Sequence, residues 1–361
     1  MNGSWYEARR TALVAALERE GVDALLVTYL PNLRYLTGFT GSAGLLLVRA
    51  AGTVLVTDFR YAAQAPQEAP GIDIVIDPAN VWERLGRVLQ PHSPDTLGVE
   101  ASSLTLRDAE RVSHLTRARV VPTTELVERL RMVKSPEEVA AIRDAAELGQ
   151  EALAELLPSV RVGQTELDIA SRLEAALRRR GSEWHPFQTI VASGPRTALP
   201  HARSSRREVE AGDFLLLDFG AIVDGYSADL TRTVVVGGPA DARQRMIHEL
   251  VQEAQRRARE HVRAGMSGRE ADALARDVIA ARGFGESFGH SLGHGLGLEV
   301  HEAPRLSPTN ELPLPEGAVV TVEPGIYLPG WGGVRLEDDV HLGPDGPELL
   351  SDGRTALLEL T

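Results

Sequence analysis

The spacing of apolar residues changes at about residue 135, and this change constrains the fold more than any other feature of the sequence. Before it, short apolar segments such as Ala24–Thr28 alternate with segments of helical periodicity such as residues 7–20. This alternation predicts an α/β domain, which we place at residues 1–125. A chain of 361 residues is long for one domain, so we expect a second at 137–361, after a linker at 126–136.

The second part begins with strong helix signals. Residues 135–138 read Ser-Pro-Glu-Glu, which combines an N-cap, a first-turn proline and a capping box before a helix at 139–157. Another capping box opens a helix at 165–180. The order of two helices followed by strands occurs over roughly 137–236 and again over 242–342, which indicates one motif used twice.

Charge and composition exclude several classes of protein. Fifteen basic and fifteen acidic residues precede residue 135, so the whole net charge of −13 lies after it, which disfavours nucleic-acid binding. The absence of cysteine excludes disulfides and thiolate metal sites. No apolar run approaches the roughly 20 residues that cross a bilayer, and the N-terminal segment has no continuous apolar core of a secretion signal. We therefore expect a cytoplasmic protein without a membrane partner.

Four carboxylates in the second part adjoin apolar strands. Asp218 ends the strand that begins at Phe214, and Asp229 follows 11 residues later across a predicted Asp-Gly hairpin. Glu323 ends another apolar strand, and Glu337 lies in a third. A buried acid is costly unless it is paired or bound to a metal. One such acid is usually a turn or cap residue, but four in one region predict a cation site.

Three histidines lie in a glycine-rich segment close to these acids in the chain. His290 and His294 have the spacing of a helical metal pair, but the glycines around them oppose a helix and predict a loop or a strand pair that lets the backbone approach a ligand. His301 follows in the same segment, whereas His201 stands alone. One neutral histidine with four carboxylates balances two divalent cations. Such ligands suit Mn²⁺ best, with Co²⁺ or Zn²⁺ as alternatives, and two bridged ions can activate water for hydrolysis.

The pattern resembles that of the pita-bread metallopeptidases. In order, residue type and context, five residues match the metal ligands of that family: Asp218, Asp229, His294, Glu323 and Glu337. Their intervals of 11, 65, 29 and 14 residues resemble the proline-specific branch, prolidase and aminopeptidase P. The segments Asn32–Ser42 and Thr57–Tyr61 are similar to the creatinase-like N-terminal domain of that branch, a domain that methionine aminopeptidases usually lack. The resemblance implies a creatinase-like α/β domain followed by an α+β pita-bread catalytic domain.

The resemblance also implies a role for each site residue. Asp218 and Asp229 would bind one or both metal ions, Glu337 would bridge them, and His294 and Glu323 would complete one site. Glu323 would also take a proton from the bridging water. The family has three active-site histidines that hold the scissile carbonyl, stabilise the oxyanion and contact the proline side of the substrate; the matching residues are His201, His290 and His301. Two further positions orient the acids and border the substrate; the matching residues are Tyr327 and Arg335.

An X–Pro bond has no N–H, so an apolar slot for the ring has to replace recognition of that group. We expect its walls to include Phe187, Tyr327 and the faces of His201 and His301. Arg305 is a candidate clamp for the free carboxylate of a dipeptide. We therefore expect a homodimeric Xaa-Pro dipeptidase that acts on short proline-containing peptides, in which the N-terminal domain of one subunit could close the site of the other.

Three alternatives remain open. An aminopeptidase P would accept tripeptides and longer chains, and Arg305 would then be an exposed loop residue. A non-catalytic pita-bread binding module typically lacks metal ligands, and a creatinase-type amidinohydrolase works without metal. All five ligand positions match here, which disfavours both of these.

Overall fold

The computed structural model describes residues 3–361. The chain forms two compact units, the first up to Arg131 and the second from Met132 onward. Within the described residues, no helix combines the length and the apolar character needed to cross a membrane. The segment 126–136, which we predicted as a linker, contains the helix Leu126–Arg131.

The first unit is a mixed six-stranded sheet with helices. Its strands are ordered β4-β3-β2-β1-β5-β6, with β1–β2 and β2–β3 antiparallel and the remaining pairs parallel. The helix at 30–37 was not predicted from the sequence; Pro31 occupies its first turn, where no backbone N–H is needed. The elements are α1 (Gly3–Glu20), β1 (Ala24–Val27), α2 (Leu30–Thr37), β2 (Leu45–Arg49), β3 (Gly52–Asp58), α3 (Ala65–Glu68), β4 (Asp73–Asp77), α4 (Val81–Leu89), β5 (Thr96–Glu100), α5 (Leu106–Leu115), β6 (Arg119–Thr123) and α6 (Leu126–Arg131).

The second unit repeats the order of two helices followed by antiparallel strands. Both predicted capping boxes at its start are present, at Ser135 and Thr165. The first half comprises α7 (Pro136–Leu156), α8 (Glu166–Arg179), β7 (Ile190–Ser193), β8 (Asp213–Phe219), β9 (Ile222–Val223), β10 (Tyr226–Ser227) and β11 (Leu230–Val236). The second half comprises α9 (Ala242–His261), α10 (Gly268–Ala281), β12 (Gly293–Gly295), β13 (Glu302–Leu306), β14 (Val319–Val322), β15 (Gly325–Leu328), β16 (Gly332–Arg335), β17 (Asp338–Gly343), β18 (Gly346–Leu349) and β19 (Glu359–Leu360).

Helices of each half pack against strands of the same half, and Phe214 and Val235 of the first half also join the core of the second. The core of the first half joins Leu173 of α8 to Leu217 of β8, and that of the second joins Val251 of α9 to Val320 of β14. The sheets have the orders β19-β11-β8-β7 and β13-β12-β14-β17-β18. β16 ends at Arg335 and β17 begins at Asp338, whereas we expected Glu337 to lie within a strand. Glu337 therefore lies between two strands.

Candidate active site

Two paired strands bring Asp218 and Asp229 together. β8 and β11 pair antiparallel with Thr231 opposite Asp218, and Asp229 directly precedes β11. The chain reverses through Asp224-Gly225, where both residues have the positive φ that the predicted Asp-Gly turn requires. The two acids are buried, with 8% and 5% of their surface exposed.

The second half contributes His294, Glu323 and Glu337. His294 is the middle residue of β12, Glu323 directly follows β14, and Glu337 lies between β16 and β17. The backbone N–H of Glu337 donates to the carbonyl of Thr231 at 3.1 Å, and the two residues form an isolated β-bridge. The acids from both halves therefore meet where the halves are joined by backbone hydrogen bonds.

The glycines beside His294 are required by close packing of strands. A Cβ atom on Gly293 would lie 2.0 Å from the carbonyl oxygen of Thr321, and one on Gly295 would lie 2.2 Å from that of Ala303. The strand pair that we predicted is present, and these two glycines let β12 approach β14 and β13; Gly293 also lines the cavity described below.

Candidate ligand atoms converge in three groups, each within 4.8 Å. The groups are Asp229, His294 and His301; His294, Glu323 and Glu337; and Asp218, Asp229 and Glu337. All five expected ligands occur in them, and Asp229, His294 and Glu337 each belong to two groups. His301, which we expected to contact substrate, also offers a nitrogen to one group.

Unpaired atoms in this cluster fit divalent cations. One oxygen of Asp218 and one of Asp229 (Oδ1 in each) are buried and have no hydrogen-bond partner among the described residues. His294 Nδ1 lies 3.0 Å from the carbonyl of Gly295, which can only accept, so Nδ1 carries the proton. The lone pair of Nε2 is then available, 3.4 Å from Glu323 Oε1. Carboxylate oxygens with one imidazole nitrogen suit Mn²⁺, Co²⁺ or Zn²⁺.

Burial opposes charge on these side chains. It raises the pKa of Asp218, of Asp229 and of Glu337, and the neighbouring carboxylates raise the last two further. Burial raises the pKa of Glu323 to about 8 and lowers that of His294 to about 3. The cluster is therefore unfavourable as an array of anions alone, and cations that bind to it must displace protons.

We expect the metal-free protein to lose stability as pH rises from 7 to 8. Unfolded histidines, with a pKa of about 6.5, are mostly neutral over this range, whereas a buried carboxyl with a raised pKa, such as Glu323, still holds a proton that the unfolded chain has released. The folded state therefore binds more protons in this range, and its stability falls with increasing pH. Thermal unfolding should show that the melting temperature of the Mn²⁺-loaded protein exceeds that of the metal-free protein by a difference that grows by several degrees as the pH rises over this range. A gap independent of pH would contradict this origin of the instability.

Arg335 connects the acids to His290 through Tyr327. Its guanidinium donates to Asp218 Oδ2 at 2.5 Å and to the Tyr327 hydroxyl at 2.9 Å. That hydroxyl lies 2.9 Å from His290 Nε2, and His290 Nδ1 lies 2.8 Å from the carbonyl of Ser291. Since Nδ1 must donate to the carbonyl, Nε2 accepts from Tyr327. Both nitrogens of His290 are thus engaged within the protein.

A cavity of about 400 Å³ opens over the acid cluster. Its walls include Phe187, His201, His301, Arg305 and Arg335, together with the five expected ligands. The side chains of His201, His301 and Arg305 make no hydrogen bond or ion pair with the rest of the described chain, so they are free to contact a ligand. Tyr327, which we expected at the wall for proline, is 7% exposed and contacts His290 and Arg335 instead of lining the cavity.

Two contributors to the site were not identified from the sequence. Thr231 is fully buried, and its hydroxyl donates to Glu337 Oε2 at 2.6 Å. The sequence offered one indication of this role: Thr231 lies two residues after Asp229, and alternate side chains of a strand face the same side. Arg203 is exposed and lines the same cavity; nothing in the local sequence distinguished it from other loop arginines.

Comparison with known proteins shows which families the two parts of the chain match. Residues 140–344 match the model of metallopeptidase family M24, and residues 9–133 match that of the creatinase/prolidase N-terminal domain. An uncharacterized peptidase of Bacillus subtilis, YqhT, is 42% identical over 94% of this chain and 96% of its own length.

Two solved structures share the fold over almost the whole chain. An Xaa-Pro dipeptidase from Bacillus anthracis has a TM-score of 0.96 and 39% identity, covering 98% of this chain and 100% of its own. An X-Pro aminopeptidase from Thermotoga maritima has a TM-score of 0.90 and 38% identity, covering 95% and 99%. The expected creatinase-like domain followed by a pita-bread catalytic domain is confirmed. The chain is a member of metallopeptidase family M24.

Proposed function

We propose that this protein is an Xaa-Pro dipeptidase that uses two divalent metal ions. The observation that carries the proposal is the convergence of Asp218, Asp229, His294, Glu323 and Glu337 beneath a cavity of about 400 Å³. The similarity to the dipeptidase of Bacillus anthracis supports the substrate class. The cavity falls within the size range of small-molecule sites and is large enough to hold a short peptide.

The five ligands would hold two ions, with Glu337 between them. Bound there, the ions supply an activated water and polarise the scissile carbonyl. Mn²⁺ is our first choice of ion because oxygen ligands predominate. Thr231 fixes the Glu337 carboxylate, and Arg335 donates both to the Thr231 hydroxyl and to Asp218.

Glu323 is our candidate for the general base. Its carboxylate borders the cavity 3.4 Å from His294 Nε2, and once bound cations have displaced the proton that it holds in their absence, it can receive a proton from the attacking water. His201 and His301 have free ring nitrogens at the cavity wall and would donate to the carbonyl oxygen as negative charge develops there. His290, whose nitrogens are both engaged, would instead border the bound substrate at the cavity wall.

Arg305 distinguishes a dipeptidase from an aminopeptidase. It pairs in register with His294 across β12 and β13, and its side chain is exposed at the cavity wall without an ionic partner among the described residues. A guanidinium placed there can bind the carboxylate that directly follows proline in a dipeptide. Phe187 and the faces of His201 and His301 would border the proline ring. The alternative is an aminopeptidase, for which the Thermotoga maritima neighbour is the support.

The test is hydrolysis of Ala-Pro, Ala-Pro-amide and Ala-Pro-Ala by Mn²⁺-loaded protein. A dipeptidase should prefer Ala-Pro, because only this substrate presents a carboxylate next to proline. Preference for Ala-Pro-Ala would favour the aminopeptidase.

Arg305→Ala should lower kcat/KM for Ala-Pro by about 10–100-fold, the value of a hydrogen bond between charged groups. Hydrolysis of Ala-Pro-amide should change little, so the preference for the free carboxylate should disappear. Arg203→Ala is the matched control, because Arg203 is also exposed and lines the same cavity. Loss of the preference in Arg203→Ala, with Arg305→Ala unaffected, would contradict the assignment of the clamp.

A cytoplasmic location and a homodimer remain predictions. Both rest on the sequence and on the family resemblance.

A further inference from the structure

Glu166 is a buried carboxylate outside the ligand cluster. It begins α8, directly after the N-cap Thr165, and it has no exposed surface. Its Oε1 accepts from the N–H and hydroxyl of Ser193 at 2.8 and 2.9 Å, and its Oε2 accepts from the N–H and hydroxyl of Ser205 at 2.9 and 2.7 Å. Arg196 Nε is 3.1 Å from both oxygens. One carboxylate thus satisfies donors from two separate points of the chain.

The two serines bracket the segment that carries His201. Within residues 193–205, Arg196 also donates to the carbonyl of Arg203, which ties the two sides of the segment together. Arg335 Nη1 donates to the carbonyl of Pro200 at 3.2 Å, while its Nη2 donates to Asp218. The backbone before His201 is therefore connected to a candidate metal ligand, and the base of the segment is connected to α8.

We propose that Glu166 is a positioning residue, which fixes His201 over the metal centre by holding both ends of segment 193–205 with one carboxylate. The proposal rests on the function proposed above, in which His201 donates to the carbonyl oxygen. Glu166 does not line the cavity, so it acts through His201 and has no contact with substrate.

Replacement by glutamine separates this role from general stabilisation. Each oxygen of Glu166 accepts from a backbone N–H, and a backbone N–H cannot reverse its direction as a hydroxyl can. The amide NH₂ of Glu166→Gln therefore faces one of the two N–H groups, and one end of the segment loses its backbone hydrogen bond to the side chain of residue 166. Side-chain volume is preserved, and Glu174→Gln on the same helix is the matched control because Glu174 makes no hydrogen bond or ion pair with the described residues.

The test is a double-mutant cycle with His201→Ala, which measures kcat and KM for Ala-Pro together with bound metal. We expect Glu166→Gln to lower kcat/KM by about 10²-fold, as small displacements of catalytic groups do, with two metal ions still bound. The double variant should be no slower than His201→Ala alone, because both changes remove the same interaction. Glu174→Gln should match the parent protein.

A measurement independent of activity uses trypsin, which cleaves after arginine. Glu166→Gln should be cut after Arg203 faster than the parent protein under native conditions, and Glu174→Gln should not. If Glu166→Gln does not fold, Ser205→Ala replaces it in the cycle. This variant removes one hydroxyl donor but retains the backbone bond, and a smaller loss with the same dependence on His201 is expected.

Three results would overturn the proposal. Losses that multiply in the double variant would show that Glu166 acts independently of His201, and parental rates in Glu166→Gln would show that the segment needs no clamp. A parental rate for His201→Ala would remove His201 from the proposed mechanism and the positioning role with it. The first two leave the proposed function intact.

Discussion

Glu323→Gln should reduce kcat for Ala-Pro by about 10²–10⁴-fold while the protein stays folded, since this is the usual contribution of a general base. An amide has nearly the same shape as the carboxylate but cannot receive a proton. Glu323 is the acid that follows β14, with a carboxylate 3.3 Å from the Thr321 hydroxyl and 3.4 Å from His294 Nε2. Steady-state kinetics, thermal unfolding and metal content should be measured on the same preparation, because Glu323 is also an expected ligand.

The control for this variant is Glu311→Gln, an exposed glutamate of the same unit. It should have the parental kcat. If Glu323→Gln retains two metal ions and hydrolyses Ala-Pro at a parental rate, Glu323 is not the base. If it loses metal and activity together, rates measured at saturating Mn²⁺ separate the two roles, and full recovery there would equally remove Glu323 as the base.

Asp229→Asn should abolish most of the metal binding and yet raise the stability of the metal-free protein. Asp229 offers an oxygen to two of the three ligand groups, so we expect metal affinity to fall at least about 100-fold and kcat/KM to fall with it. In the metal-free state the same carboxyl is buried near Glu337, Asp218 and Glu323, which together with burial raise its pKa. Removing this unfavourable group should raise the melting temperature at pH 8 by about 4 °C, as ~1–2 kcal/mol does in a domain of this size.

Asp224→Asn is the control for that variant. Asp224 is an exposed residue at the turn of the same hairpin, with a φ of 50° that asparagine also tolerates. Its metal affinity and stability should be parental. Parental metal affinity in Asp229→Asn would contradict the role of Asp229 as a ligand. A lower melting temperature of its metal-free form would contradict the claim that this carboxyl destabilises the metal-free protein.

Local rules predicted the parts of the fold that depend on local chemistry. Ser135 and Thr165 were identified as N-caps because a capping box is complete within four residues, and both are present. The turn at Asp224-Gly225 was identified because few residues other than glycine and asparagine or aspartate adopt positive φ. The four candidate acids were identified because each adjoins an apolar strand, where its burial needs a partner. His294 was distinguished from the other histidines by the family resemblance, and the structure brings all five residues together.

What the sequence could not predict depends on contacts between distant residues. We explained the glycines around His294 by close approach to a ligand, and we did not foresee that the carbonyl oxygens of Thr321 and Ala303 leave no room for a Cβ atom there. Tyr327 was placed at the proline slot, but its hydroxyl is held between His290 and Arg335. Glu166 was not identified from the sequence, because its partners Ser193 and Ser205 lie 27 and 39 positions further along the chain. No periodicity or motif encodes such pairings.

The most direct test of the central claim is a titration of metal-free protein with Mn²⁺ while hydrolysis of Ala-Pro and Ala-Ala is followed. The account predicts that Ala-Pro hydrolysis appears as metal binds, reaches its maximum at two ions per chain and is lost on chelation, with Ala-Ala cleaved far more slowly. Hydrolysis of Ala-Pro that is independent of metal, or no hydrolysis with two ions bound, would contradict it.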